Sequence, residues 1–334
     1  MRKFRVGLVG CGAIFPMHAN AVMQIDSAEI AAVCDIQKEL AEQQAVQYGG
    51  AVYTDFEDMI ADAGLDAVHI CTPHDLHAPM AVYALKHGVN VIVEKPMAIS
   101  YADAQRMAEA QSACGAALDV IFQNRYNDAV IAIRTALDSG KLGNIHSARA
   151  MVAWSRPDSY YAGSDWKGTW AREGGACIIN QSIHTLDLMR YFIGQPVAAV
   201  DATLARHCNT ITETEDTAEG VITFENGARG LFYVTNCNSC NAPVELTLHC
   251  ENGMVYMRGE QADIVYESGE TAHIRPGQES AAAVGQNYWG SSHQRQIQRF
   301  YDSLSGNAQR IPLEEALKTQ RMVEMIYQSG KKKF

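Results

Sequence analysis

Basic charge is scarce in this sequence. Across 334 residues, 27 lysines and arginines stand against 38 acids, leaving a formal net charge of −11. A nucleic-acid partner needs a basic surface to meet its phosphates, so that class is excluded; the lone basic run is the short tail Lys331 to Lys333. Long apolar runs are missing too, and no stretch approaches the roughly 20 residues that a membrane-spanning helix requires. Solenoid repeats and low-complexity tracts are absent. With 47% apolar and 19% charged residues, the composition is that of an ordinary globular chain long enough for about two domains, each with its own core.

A disulfide framework is not expected either. Nine cysteines are an odd number with irregular spacing, which fits reduced thiols in a cytoplasmic protein. Cys237 and Cys240 form a C-x-x-C, but no second pair follows at zinc spacing and no βαβ unit surrounds it, so no metal is expected. The N-terminus has a signal-peptide look, with Arg2 and Lys3, an apolar run and Ala19-Asn20-Ala21 as a cleavage-like site. Gly7, Gly10 and Gly12 break that run, and they have a better use.

From residue 4 to about 122, short β-branched runs ("FRVGLV", "EIAAVC", "AVHIC", "NVIVE", "ALDVIF") alternate with helix-length segments. This is the βαβ rhythm of a parallel, doubly wound sheet. The first strand runs into Gly10-Cys11-Gly12-Ala13-Ile14-Phe15 and the second ends at Cys34-Asp35. Glycines let such a turn close and let backbone approach a pyrophosphate at a helix N-terminus; an acid some twenty residues on can bond a ribose hydroxyl. Phe15 replaces the third glycine of the fingerprint, which calls for a different fit between helix and strand. A carboxylate at Asp35 would repel a 2′-phosphate, so NAD is expected rather than NADP.

After residue 122 the rhythm changes, which divides the chain into domains 1–122 and 123–334. Period-2 strands are joined by turn signals at Glu225-Asn226-Gly227, Glu251-Asn252-Gly253 and Ser268-Gly269, the pattern of an antiparallel meander, and helical patterns close the chain at about 289–305 and 313–329. Between them, "EGGACIINQSIHTLDLMRYFIG" (173–194) reads as a helix that is apolar nearly all round and therefore buried. Asn180, His184 and Asp187 recur at i, i+4 and i+7, so in an α-helix they share one stripe, either a satisfied core network or a catalytic face. At the end of the fifth strand stands Glu94-Lys95-Pro96, where ligands of open α/β sheets gather, and the proline restricts the direction of Lys95. A lysine there can position a substrate oxygen and share its proton.

The segments "GLVGCGAIF", "CTPHDLHAPMAVYALKHGVNVIVEKPMA", "DWKGTWAREGGACIINQSIHTLDLM" and "YWGSSHQRQIQRFYDSL" together resemble the Gfo/Idh/MocA family of NAD(P)-dependent oxidoreductases, over nearly the whole chain. The resemblance implies an N-terminal Rossmann domain and a C-terminal α/β domain with an open-faced antiparallel sheet used for oligomer contact. It makes Lys95 of the E-K-P motif and His184 of the G-G-x-x-x-[DN]-x-x-x-H motif the catalytic pair, with Asn180 where many relatives have aspartate. Thr72 and Pro73, with His74 and His77 after them, fall near the cofactor, as do Glu94, Asn124 and Arg125. Trp166 and Trp170 fall in a loop expected to cover cofactor or substrate. Arg156, Asp158, Tyr160 and Tyr161 of the same loop could bond substrate hydroxyls, and Asp187 could orient the helix or do likewise. The loop and helix also resemble a subgroup acting on nucleotide-linked sugar acids.

The implied function is hydride transfer between NAD and a secondary alcohol of a sugar, sugar derivative or cyclic polyol, in a cytoplasmic homo-oligomer, a dimer or tetramer. Two other functions fit the same motifs. One is a redox-neutral enzyme whose tightly held NAD transiently oxidises a sugar for glycoside cleavage; the other is an NAD-binding sensor without activity.

Overall fold

The computed structural model describes residues 2–276, 292–331 and 334. The anticipated helix start at 289 and the tail residues Lys332 and Lys333 lie outside the described residues. The chain divides into two compact units, Met1–Gln123 with Ser292–Leu317, and Asn124–Ser291 with Lys318–Phe334. A single boundary at 122/123 therefore does not describe the chain, because segment 292–317 belongs with the first unit.

In the first unit, strands and helices alternate as β1 (Phe4–Val9), α1 (Phe15–Met23), β2 (Ala28–Cys34), α2 (Lys38–Tyr48), β3 (Ala51–Tyr53), α3 (Phe56–Asp62), β4 (Ala67–Ile70), α4 (His74–Lys86), β5 (Asn90–Val93), α5 (Tyr101–Cys114) and β6 (Leu118–Val120). The sheet order is β3-β2-β1-β4-β5-β6 with every pair parallel, and the order reverses between β1 and β4. Strands buried on both faces need mostly apolar residues, which is why β4 and β5 are apolar but for His69 and Asn90. The edge strand β3 spans only three residues, too few for a period to show in the sequence.

The second unit holds α6 (Asp128–Asp138), β7 (Ile145–Ala153), α7 (Asp158–Tyr161), a π-helical turn (Cys177–Ser182), α8 (Ile183–Ile193), β8 (Val197–Ala205), β9 (Thr217–Phe224), β10 (Arg229–Thr235), β11 (Glu245–Cys250), β12 (Gly253–Arg258), β13 (Gln261–Tyr266) and β14 (Thr271–Ile274). The three turn signals read from the sequence each join neighbouring antiparallel strands: β9 to β10, β11 to β12 and β13 to β14. The sheet is not a pure antiparallel meander, since β7 inserts between β11 and β10 and pairs parallel with β10. Helix α8 packs against β7 and β11, and Gly230 of β10 admits Met189, whose Sδ would sit 2.9 Å from any added Cβ. The opposite face carries exposed Leu231, Tyr233 and Tyr256.

Cysteine chemistry differs from the expectation of nine free thiols. Cys208 and Cys237 form a disulfide, so Cys237 pairs across the fold with Cys208, while Cys240 is an exposed thiol. The sequence spacing of the C-x-x-C is misleading because Asp216 gathers the backbone N–H groups of His207, Cys208 and Asn209 and holds that loop beside Cys237.

Two further helices follow, α9 (His293–Leu304) and α10 (Leu313–Gly330). Helix α9 completes the first unit's core, placing Ile297, Phe300 and Tyr301 among Phe15, Ala19 and Val22 of α1. Its Gln296 closes the sheet's end: the amide donates to Val120 O at 2.8 Å and accepts from Phe122 N at 3.0 Å, as another strand would. Phe300→Ala should therefore open a core cavity and cost about 3–5 kcal/mol. Urea denaturation of the variant should show an unchanged slope and a lowered midpoint.

Candidate active site

The first loop of the parallel sheet is built by its glycines and one acid. Gly10 sits at φ +91°, and a Cβ there would meet Cys71 O at 2.6 Å, so the two loops at the sheet's reversal can approach only with glycine. Gly12 and Ala13 are exposed, Ile14 is half-buried, and nothing lies within 4 Å of where a Gly12 Cβ would stand. Helix α1 starts there with no acid in its first turn. Asp35 Oδ2 accepts from Cys11 N at 2.8 Å while Oδ1 accepts from Gln37 N at 2.9 Å, tying the end of β2 to the turn. An open, glycine-lined turn at a helix N-terminus without negative charge, braced by a carboxylate, fits a dinucleotide.

Around the E-K-P segment the structure adds residues that the sequence did not single out. Lys95 is half-buried, and its peptide bond to Pro96 is cis. His77 is fully buried between two carbonyls, Pro96 O at 2.7 Å and Thr72 O at 2.9 Å, and burial lowers its pKa, so the neutral ring donates to one of them at a time. It clamps the Thr72-Pro73 loop to the E-K-P segment, with the buried His74 ring beside it. Glu94 points into the unit's interior. Its Oε1 meets His18 Nε2 at 2.9 Å and His293 Nε2 at 3.4 Å. Burial alone would raise the Glu94 pKa, but the hydrogen bonds from His18 and His293 outweigh it and hold the group well below the usual range.

That anion orders a chain of tautomers. A carboxylate only accepts, so His18 Nε2 carries a proton; burial keeps the ring neutral, and its Nδ1 then accepts from His69 Nδ1 at 3.0 Å. His69, also held neutral by burial, accepts at Nε2 from the Tyr301 hydroxyl at 2.8 Å. The sequence signal for these residues was a lone histidine inside an apolar strand ("AVHI") and another inside an apolar helix ("FPMHANAVM").

In the second unit the helix read from 173–194 is two pieces, since Cys177–Ser182 is π-helical before α8 begins at Ile183. The N-terminal N–H groups find partners outside the helix: Ala176 N and Ile178 N donate to Glu215 Oε1 at 3.0 and 3.1 Å, and Ile179 N to the Tyr327 hydroxyl at 3.3 Å. Gly175, at φ +148°, is required because any Cβ would overlap that hydroxyl. Wider winding means that Asn180, His184 and Asp187 do not form the uniform stripe expected of a continuous α-helix. Asn180 and His184 are half-buried whereas Asp187 is fully buried.

Asp187 and Arg125 are paired with each other. Arg125 Nε and Nη2 bond the two Asp187 oxygens at 2.8 and 2.6 Å, and Arg190 approaches at 3.8 Å. Burial would raise the Asp187 pKa, but Arg125, then Arg190 and Thr319, hold it below the usual carboxylate range. Asp187 and Arg125 thus form an ion pair in the interior of the second unit. Asn124, just before it, is half-buried, and its Oδ1 has no partner among the described residues.

The loop residues are similarly committed. Tyr161 is buried, with its hydroxyl accepting from Asn236 at 3.0 Å. Asp158 braces Thr210, and Arg156 is buried against Gln181 and Asn241. Trp170 donates to Glu213 O at 3.0 Å and packs on Tyr327 and Lys331. Trp166 and Tyr160 are half-buried. The residue the sequence reading missed is Glu173: fully buried, it accepts from Asn180 Nδ2 at 2.6 Å and from Gly168 N.

Comparison with known proteins places these features in context. Residues 4–122 match the Gfo/Idh/MocA oxidoreductase family's NAD-binding Rossmann fold, and residues 130–256 match the Gfo/Idh/MocA C-terminal domain. The chain is 26% identical to a myo-inositol 2-dehydrogenase of Thermotoga maritima over 68% of its own length and 67% of that protein's, and 30% identical to a D-apiose dehydrogenase of Paraburkholderia graminis over 68% and 59%. Across such relatives it spans between 54% and 68% of their length. A crystal structure of the WlbA dehydrogenase from Bordetella pertussis, in complex with NADH and UDP-GlcNAcA, superposes with TM-score 0.89 at 29% identity, covering 100% of this chain and 97% of that one.

Removing the Asp187 carboxylate would strand two guanidinium groups in the interior. Asp187→Ala should cost about 3–5 kcal/mol at neutral pH by chemical denaturation. The folded pKa is depressed, so the contribution is complete above the ordinary aspartate value of 3.8 and is lost as pH falls through the folded value. The stability gap between variant and wild type should accordingly narrow in acid.

Proposed function

The chain belongs to the Gfo/Idh/MocA oxidoreductase family, and from that premise we propose that it transfers a hydride between NAD and a secondary alcohol of a sugar, a sugar derivative or a cyclic polyol. The observation that carries this reading is the exposure of Asn180 and His184. They are half-buried on a segment, 175–190, whose other residues are buried. A half-buried polar pair on an otherwise buried segment supplies the donor and acceptor groups that a reacting hydroxyl requires.

In this reading His184 takes the hydroxyl proton during oxidation and returns it during reduction, Asn180 orients the substrate oxygen, and Lys95, at its strand's end, is assigned hydrogen bonding and proton sharing. Backbone of Gly10, Gly12, Ala13 and Ile14 holds the pyrophosphate, Asp35 the adenosine ribose, and Thr72, Pro73 and Asn124 the nicotinamide side. NAD, when bound, supplies the hydride acceptor. Trp166, Tyr160 and Tyr161 of the loop are assigned to the substrate side in this reading. The relatives' names, an inositol and an apiose dehydrogenase, support a polyhydroxylated substrate, and the WlbA complex supports testing nucleotide-linked uronates among them. The proposal includes a cytoplasmic homo-oligomer, for which the exposed sheet residues Leu231, Tyr233 and Tyr256 offer an apolar face.

A panel of inositols, aldoses, uronates and nucleotide-linked uronates, followed by nicotinamide absorbance, tests the activity; no reduction with any of them removes the reading. With the substrate found, Lys95→Ala and His184→Ala should each lower turnover by roughly a hundredfold or more while NAD affinity stays near wild type.

NAD should bind at least about tenfold more tightly than NADP, about 1.4 kcal/mol, because Asp35 sets a negative charge where the added phosphate would lie. Asp35→Ser retains an acceptor for Cys11 N and should narrow the ratio in a calorimetric titration. A wild type preferring NADP would refute the role given to Asp35.

A further inference from the structure

Hydride transfer makes no use of the C-x-x-C at Cys237 and Cys240. Within the second unit its first cysteine is bonded to Cys208, with the two Cα atoms 5.7 Å apart, while Cys240 keeps a free thiol. Cys208 and Cys240 are exposed and Cys237 is half-buried, so reagents in solution reach the group. Cys237 thus has one sulfur partner from a distant loop and a second cysteine three positions along its own chain.

The backbone holds both cysteines close to Cys237. On one side Cys237 bridges to Ser155, Asn238 N donates to Trp154 O at 3.0 Å and Ala242 N donates to Ala153 O at 3.0 Å. The chain between them leaves from and returns to two adjacent residues, and Asn238 Nδ2 tightens the loop by donating to Cys240 O at 2.9 Å. A reversal this short brings Cα atoms three positions apart within about 7 Å, near the span of a disulfide. On the other side Asp216 joins Cys208 to the neighbour of Cys237 without sulfur. Its carboxylate accepts from Cys208 N at 2.8 Å and its backbone carbonyl from Asn236 N at 2.7 Å, so Cys208 stays nearby when the S–S bond opens. A metal is the other use for such a group, since a sulfur from Cys208, one from Cys237 and an Asp216 oxygen lie within 4.8 Å of one another. Both Asp216 oxygens, however, already accept from the N–H groups of His207, Cys208 and Asn209 and from the Thr217 hydroxyl, whose positive ends stand where a cation would need to be.

We propose that Cys208, Cys237 and Cys240 form a thiol–disulfide exchange site in which Cys240 displaces Cys208 from Cys237. The Cys240 thiolate attacks Cys237 Sγ, the Cys237–Cys240 bond forms as the Cys208–Cys237 bond breaks, and Cys208 leaves as a thiolate. Solvent receives the Cys240 proton and supplies one to Cys208, so one disulfide replaces another with no net oxidation or reduction. Exchange unfastens residues 207–210 from the segment after β10. That loop braces Asp158, which accepts from Thr210 N at 3.0 Å and from the Thr210 hydroxyl at 2.6 Å. The proposed cytoplasmic setting agrees with this role, because disulfides in a reducing compartment are chiefly transient and redox-active.

Alkylation of the native protein without reductant reads the exchange. Iodoacetamide, followed by acid quenching and peptide mass mapping under non-reducing conditions, should label Cys240 in part of the wild-type molecules and Cys208 in another part. Every molecule labelled at Cys208 should carry the Cys237–Cys240 link. In Cys240→Ser the Cys208 label should be lost, with the Cys208–Cys237 link intact. Cys208→Ser, treated with oxidised dithiothreitol, should acquire the Cys237–Cys240 link. Wild type unlabelled at Cys208, Cys208 labelled equally in Cys240→Ser, or two free thiols in oxidant-treated Cys208→Ser would each overturn the proposal. The wild-type map decides it even if a variant fails to fold. None of these readouts uses NAD or a sugar, so their outcome is separate from that of the dehydrogenase reading.

Discussion

Taking a carboxylate out of water costs several kcal/mol unless donors replace its hydration. This chain does so four times beside residues of chemical interest, and each acid is answered differently. Glu94 is met by two histidines, Asp187 by two arginines and a threonine, and Glu215 by backbone N–H groups and a tyrosine. Glu173 is met by a peptide N–H and an amide, and burial pushes its carboxyl up to about 7, as burial also raises that of Glu215. The charge state of each follows from its partners, and so does the rigidity of the segment it holds.

Glu215 shows how such an acid shapes a helix. By accepting from Ala176 N and Ile178 N it satisfies N–H groups that an α-helix leaves open at its start, and the backbone is free to begin with a wide turn. The adjacent glycine is then a matter of space, since only hydrogen at Gly175 leaves room for the Tyr327 hydroxyl. Local backbone, a buried acid and a distant tyrosine together turn Asn180 and His184 outward and Asp187 inward.

The fold was broadly legible because its signals are local. β-branched runs, the glycine turn and the hairpin dipeptides specify strands and turns from neighbours only a few residues away, and the resemblance of the motifs supplied the rest. The one parallel pair among the described strands of the second sheet, β7 with β10, left no such trace, because nothing in either strand says which partner lies beside it. Helix α9 reads as an amphipathic helix of either unit until Gln296 is seen closing the end of β6. The disulfide was hidden for the same reason: Cys240 is near Cys237 in sequence, and Cys208 is near it in space.

The sequence by itself determined that this chain carries a dinucleotide turn with an acid behind it, a lysine before a proline at a strand's end, and a polar helix face headed by two glycines. Each is a property of a short stretch. Only the tertiary structure decided what each polar group meets: Arg125 and Asp187 bond each other and Tyr161 bonds Asn236 in the interior, whereas Asn180 and His184 are half-buried. Those decisions depend on bonds between residues far apart in the chain, such as Thr319 to Asp187 across 132 positions, Ile179 to Tyr327 across 148 and His69 to Tyr301 across 232. A hydrogen bond has no sequence period, so no pattern in the chain announces it; it exists only once folding has brought donor and acceptor within about 3 Å and excluded the water that would otherwise compete.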